Sequence, residues 1–166
     1  MGTEHNVGLS VSEISHLWTS YQNDSMAICG IKYFLANIED NDIREVLEYA
    51  LEISIQHIEK VKTILNDADY PIPQGFTEKD VNLDAPRLFS DKLMMYHIAA
   101  LVGSGIGQYG MAMSTSPRHD LGVMYTRLTG EIMHYSEDGA NLMINNGWME
   151  QPPQAADRIE LAKKDN

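Results

Sequence analysis

Glu131-Ile132-Met133-His134 is a Glu-x-x-His. Residues three apart on a helix project from the same side, so a carboxylate and an imidazole at this spacing can share a metal ion. A di-iron carboxylate bundle uses two such pairs, with one further Glu from each of two other helices. Only one pair is complete here. Ser54-x-x-His57 puts a hydroxyl where a bridging carboxylate belongs, Asp24 is a shorter acid upstream, and no carboxylate stands between Asp91 and Asp120. Asp24, His57, Glu131 and His134, with His97 as a fifth candidate, could hold one Zn²⁺ or Fe²⁺. They under-supply a dinuclear oxygen-activating centre. The same residues also suit a cofactor-free hydrogen-bond network, with His57 on Tyr21 or Asp24 and Asp24 on Ser54 or Tyr135, because buried polar groups generally find protein partners. Both arrangements stand at the level of sequence.

Gly105-x-Gly107-x-x-Gly110 follows the apolar run Ile98–Val102, which has the form of a dinucleotide-binding turn. That turn needs a preceding strand and neighbouring βαβ units. The run continues a helical pattern from Leu88, and no other strand exists for it to join. Gly103, Gly107 and Gly110 fall on one helical face, which predicts close packing against a backbone or against Tyr109, Tyr96 or a methionine, with a kink or small cavity nearby. No further constellation supports catalysis. Ser10, Ser12 and His16 are cap and surface material, Cys29 has no base beside it and suits a small core position, and Glu39-Asp40-Asn41-Asp42 lacks calcium-loop spacing. The chain reads as a protein without enzyme activity.

Four helices must position these residues. Ile14, Leu17, Tyr21, Asp24, Ile28, Ile31, Leu35 and Ile38 recur at spacings of three and four, predicting a helix over 11–38 with Ser10 or Ser12 as cap. Asp40-Asn41-Asp42 ends it and caps a second helix over 43–68, with Ile43, Leu47, Ala50, Ser54, His57, Val61, Ile64 and Ala68 on its inner face. Residues 69–86, with Pro71, Pro73 and Gly75, lack a period and are long for a connection, as a crossover spanning a bundle would be. A third helix is expected over 87–113. After a turn at Ser114–Pro117, a fourth runs over 118–146 and stops at Gly147. Residues 148–166 form a polar tail, with Trp148 placed to pin it. Two hairpins joined by one long crossover make an all-α, ferritin-like four-helix bundle in a single domain, 1–166, with its core in 11–147.

Twenty-four acidic against twelve basic residues give a net charge of −12, a field that repels phosphate backbones and argues against nucleic-acid binding. No apolar run approaches the roughly 18–20 residues that span a bilayer, so no membrane partner is expected. The first residues carry neither a secretion signal nor a myristoylation pattern. A single cysteine excludes an internal disulfide and suggests a reducing, cytoplasmic setting.

Several longer stretches resemble a family of ferritin-like proteins of unknown activity from spore-forming bacteria, some of them labelled as candidate spore-coat proteins. They are Leu17-Trp18-Thr19-Ser20-Tyr21-Gln22-Asn23-Asp24-Ser25-Met26, Leu47-Glu48-Tyr49-Ala50-Leu51-Glu52 and Tyr70-Pro71-Ile72-Pro73-Gln74-Gly75-Phe76-Thr77. Asp80-Val81-Asn82, Ala85-Pro86-Arg87-Leu88-Phe89-Ser90-Asp91 and Pro152-Pro153 extend the likeness over most of the chain. The resemblance implies a ferritin-like bundle, an intracellular life connected with sporulation or the spore coat, and no particular mechanism. His57 matches the pattern of that family; the likeness does not extend to His134. Many of its members carry two copies of the unit against one here, which implies a homodimer. Two functions are therefore expected in contest. One is a structural protein that meets its own copies or coat partners through an exposed apolar patch around Tyr33, Phe34, Tyr49 or Met149. The other is a metal-binding redox or storage protein holding one zinc or iron ion. A small apolar ligand beside the glycines of the third helix is a third.

Overall fold

The computed structural model describes residues 7–150, 153, 155 and 156. Most of the polar tail, including Pro152, lies outside them. Four helices carry the fold: α1 (Val11–Asn37), α2 (Asn41–Asp67), α3 (Asp91–Thr115) and α4 (His119–Asn145), with one 3-10 turn, Glu78–Asp80, between α2 and α3. There is no strand among the described residues, so Gly105-x-Gly107-x-x-Gly110 lies inside a continuous helix and the dinucleotide reading falls.

Each helix starts where a side chain can take its free N–H groups. Ser10 caps α1 in a reciprocal capping box with Glu13, and Asp40 accepts from Asp42 and Ile43 to start α2 two residues before the expected boundary. Ser90 caps α3, which begins four residues later than its periodicity suggests. Residues 87–90 instead complete the crossover, where the Leu88 N–H donates to the Tyr33 hydroxyl and that hydroxyl donates to the Pro86 carbonyl. Gly147, at φ +66°, stands just beyond α4 in the left-handed region that glycine tolerates.

In cross-section α1 neighbours α2 and α3, and α4 neighbours α3 and α2. The Asp40 N–H bonds to Asp91, placing the α1–α2 turn beside the start of α3, while the Arg118 N–H bonds to Glu13 at the other end. Every adjacent pair is thus antiparallel, and the crossover travels the bundle's length. It lies along α1, held by Gln22 to the Gln74 carbonyl, by Ser25 from the Phe76 N–H and by Cys29 to the Thr77 carbonyl. Cys29 therefore sits under the crossover, partly exposed, rather than in the core.

The core is two apolar clusters stacked along the bundle. One holds Ile31, Phe34, Ile43, Leu47, Ile53, Met94 and Met95; the other holds Leu17, Val61, Leu65, Leu121, Tyr125 and Leu128. Trp148 packs against the first. Tyr33 and Phe34 are also part of it, which corrects their assignment to an exposed patch; Tyr49 and Met149 are exposed. Between the two clusters lie the polar residues.

Candidate functional site

His57 projects from the middle of α2 and is only 1% exposed. Its Nε2 lies 3.2 Å from Glu131 Oε2 of α4, and its Nδ1 lies 2.9 Å from the Tyr109 hydroxyl of α3. A carboxylate only accepts, so Nε2 carries the proton and donates to Glu131. Nδ1 is then the acceptor, and Tyr109 donates to it. The Asp24 carboxyl of α1 lies beside this pair, with Oδ1 3.9 Å from His57 Nδ1. A line of hydrogen bonds runs from Tyr109 of α3 through His57 of α2 to Glu131 of α4, with Asp24 of α1 beside its inner end.

The line ends at the edge of the bundle. Glu131 receives Arg127 Nε at 2.8 Å and Lys60 Nζ at 3.3 Å as well as His57. Burial pushes the Glu131 carboxyl up, but hydrogen bonds from Arg127, His57 and Lys60 outweigh it and hold it below its ordinary value. Burial pushes Asp24 up to about 7 against the partial relief of Tyr109, and it pushes His57 down to about 4 against the pull of Glu131. At neutral pH the imidazole is uncharged and bonded at both nitrogens.

The expected five-residue cluster is not assembled. Asp24, His57 and Glu131 meet; His134 and His97 do not join them. The buried residues of α4 are Leu121, Tyr125, Leu128, Ile132, Tyr135, Gly139 and Met143. Glu131 sits at the edge of that face, and three further residues turn the helix by about 60° past it, away from the core. His134 is therefore exposed. His97 is exposed too, donates to the Leu93 carbonyl at 2.9 Å and packs with Phe34 and Phe89 at another level. Asp24 and Glu131 stand on opposite sides of the imidazole, and no group of three or more His, Cys, Asp or Glu side chains among the described residues is arranged to hold a metal ion. Lys60 and Arg127 are not among the residues that the sequence singles out, and Tyr109 stands out there only as a packing partner for the glycines. Arg127 and Lys60 carried a signal, four residues before Glu131 and three after His57; Tyr109 carried none beyond sharing α3 with the glycines.

The glycines are corrected as well. Gly103, Gly107 and Gly110 are exposed, and a Cβ at any of them would meet nothing within 4 Å. Among the described residues they have no packing partner. Gly105 lies on the wall of a cavity of about 130 Å³, together with Asp24, His57, Tyr109 and Tyr135.

The family model for proteins of unknown function DUF3231 matches residues 1–161. No curated protein matches the chain. Among solved structures, a "putative spore coat protein" from Bacillus halodurans C-125 superposes with a TM-score of 0.82 at 19% identity, over 92% of this chain and 98% of that one. At that identity the likeness speaks for the four-helix fold.

Proposed function

Because the chain belongs to the DUF3231 family of proteins of unknown function, where a fold carries no mechanism with it, we propose that it is a structural protein that self-associates through the outer face of α3. The observation behind this reading is the composition of that face. From Leu93 to Thr115 α3 contains no Asp, Glu, Lys or Arg, in a chain whose net charge is −12. The face presents Leu93, Tyr96, Ala100, Gly103, Gly107, Gly110 and Met111, the last 63% exposed, with His97 and Ser104 beside them. An exposed, uncharged face carrying apolar side chains suits a partner. Charge repulsion opposes contact between copies elsewhere, and this surface lacks it. The glycines let a second backbone come close, and a two-fold axis would bring the same stripe from each copy together. This reading moves the contact surface from Tyr33 and Phe34, which are buried, to α3.

The polar line supports the same reading. His57 is bonded at both nitrogens, and Glu131 has three partners, so the groups best suited to chemistry are engaged with one another. The likeness to the Bacillus halodurans protein supports the spore coat as the setting, with coat proteins as further partners. A metal-binding role has Asp24, His57 and Glu131 behind it, arranged in a row rather than around a point.

Sedimentation of the wild-type protein and of Gly107→Glu tests the proposal. The position is open, and replacing a mid-helix glycine gains about 0.5–1 kcal/mol of helix propensity, so the variant should fold at least as well. The expected result is a dimer converted to monomer with helicity retained. A wild-type monomer at about 50 µM, well above the Kd of a stable dimer, would overturn the proposal, as would a dimer untouched by Gly107→Glu.

A further inference from the structure

The cavity of about 130 Å³ lies where the two core clusters part, bounded by all four helices. Most of its wall is hydrocarbon, including Ile31, Ile53, Ile98, Val102 and Ile132. Two polar atoms on the wall lack a protein partner among the described residues: Asp24 Oδ2 and the hydroxyl of Tyr135, a residue only 5% exposed. A dry cavity of about 150 Å³ lined by apolar side chains is large enough for benzene. Buried polar groups left without partners are costly, and a ligand that reaches them is favoured over one that does not.

We propose that this cavity binds one small uncharged molecule, mostly hydrocarbon and bearing a single hydroxyl group, of about the size of phenol. The hydrocarbon lies against the isoleucines and Val102. The hydroxyl donates to Asp24 Oδ2 and accepts from the Tyr135 O–H. A hydroxyl can also exchange donor and acceptor roles, so it fits the Asp24 carboxyl whether protonated or ionised. An ammonium group fits less well, since it requires the ionised carboxyl, and burial favours the acid form. An anion would face Asp24 with no cation on its side of His57, because Lys60 and Arg127 are bound to Glu131. Asn23 and Gln108, hydrogen-bonded across α1 and α3, both belong to the wall.

Titration of the whole protein with phenol, benzene and benzylammonium, followed by calorimetry and amide NMR, tests the assignment. Phenol should saturate one site per chain, with a Kd of about 1 mM or tighter, and bind roughly tenfold more tightly than benzene. Its shifts should centre on Asp24, Gly105 and Tyr135. Gly105→Leu grows a side chain from the cavity wall, where a Cβ would meet only Ile132 at 3.7 Å; it should abolish binding while the melting temperature holds or rises. Asp24→Leu should reverse the order, benzene binding ahead of phenol. Benzene binding as tightly as phenol, or benzylammonium more tightly, would overturn the proposal. So would no saturable binding up to about 20 mM phenol, or phenol binding that Gly105→Leu leaves intact. Gly105→Leu is informative even if Asp24→Leu fails to fold, and neither change touches the outer face of α3.

Discussion

Glu131 Oε2 lies 3.2 Å from His57 Nε2, so a carboxylate at the rim of the bundle sets the tautomer of an imidazole in its interior. Tyr109 depends on that choice, because it can donate only to the nitrogen that Glu131 leaves unprotonated. Glu131→Ala should therefore destabilise the fold by about 1–3 kcal/mol, the cost of an unpaired buried donor. Glu131→Gln, whose amide oxygen also accepts, should recover much of the loss. Imidazole ¹⁵N shifts are the check: the Nε2–H form should dominate in the wild type and in the Gln variant and give way in the Ala variant.

Asp24 and His57 titrate in opposite senses on folding. Asp24 rises from an ordinary 3.8 to about 7, so its contribution is full below about 3.8 and is lost as pH rises toward 7. His57 falls from 6.5 to about 4, so its contribution is full above 6.5 and is lost as pH drops toward 4. Between about pH 4 and 6.5 these two slopes oppose each other. Each single variant should expose the other residue. Asp24→Asn should lose stability as pH falls through this window, and His57→Gln should lose it as pH rises, each by up to about 1 kcal/mol per pH unit. Urea unfolding at pH 4.5, 5.5 and 6.5 reads the slopes; parallel profiles for both variants and the wild type would contradict the assignment.

Glu13 ties the start of α1 to the start of α4. It is 1% exposed and accepts from the Ser10 N–H at 2.8 Å and the Arg118 N–H at 3.1 Å. Burial raises its carboxyl, but those two backbone donors, the Ser10 hydroxyl and the Arg118 charge together overcome it and leave the group below its ordinary 4.5. Its stabilisation is then present above 4.5 and fades as pH falls through the lowered value. Glu13→Ala should cost about 1–3 kcal/mol at pH 7 and flatten the acid limb of the stability curve.

Gly75 is where the crossover presses closest to α1. A Cβ there would stand 2.6 Å from Ser25 Oγ and 2.7 Å from a Tyr21 ring carbon. Ser25 cannot easily yield, since its hydroxyl donates to the Gln22 carbonyl and accepts from the Phe76 N–H. Gly75→Ala should cost about 1–3 kcal/mol and speed amide exchange at Phe76 and Thr77 more than in α2. Equal exchange in both segments would place the effect elsewhere.

His134 and His97 should be replaceable by alanine within about 0.5 kcal/mol, as exposed positions are. Zinc or iron added to the apo protein should leave the melting temperature unchanged in all three forms. A rise of several degrees in the wild type, lost in His57→Ala, would restore the metal reading.

Helix existence, order and the crossover were legible from spacing and breakers, because a 3.6-residue period and a cap are local properties of the chain. So was the anomaly of polar residues on apolar stripes, which singled out Asp24, His57 and Glu131. Which of them meet was not local. His134 shares a motif with Glu131, but a turn of about 60° decides inside from outside, and packing of Ile132 and Tyr135 against the other helices sets that rotation. Tyr109 joined His57 because α3 and α2 face each other diagonally across the core, a relation no sequence interval encodes. The glycines of α3 show the same division: sequence puts them on one face, and only the tertiary arrangement turns that face outward while leaving Gly105 beside the cavity.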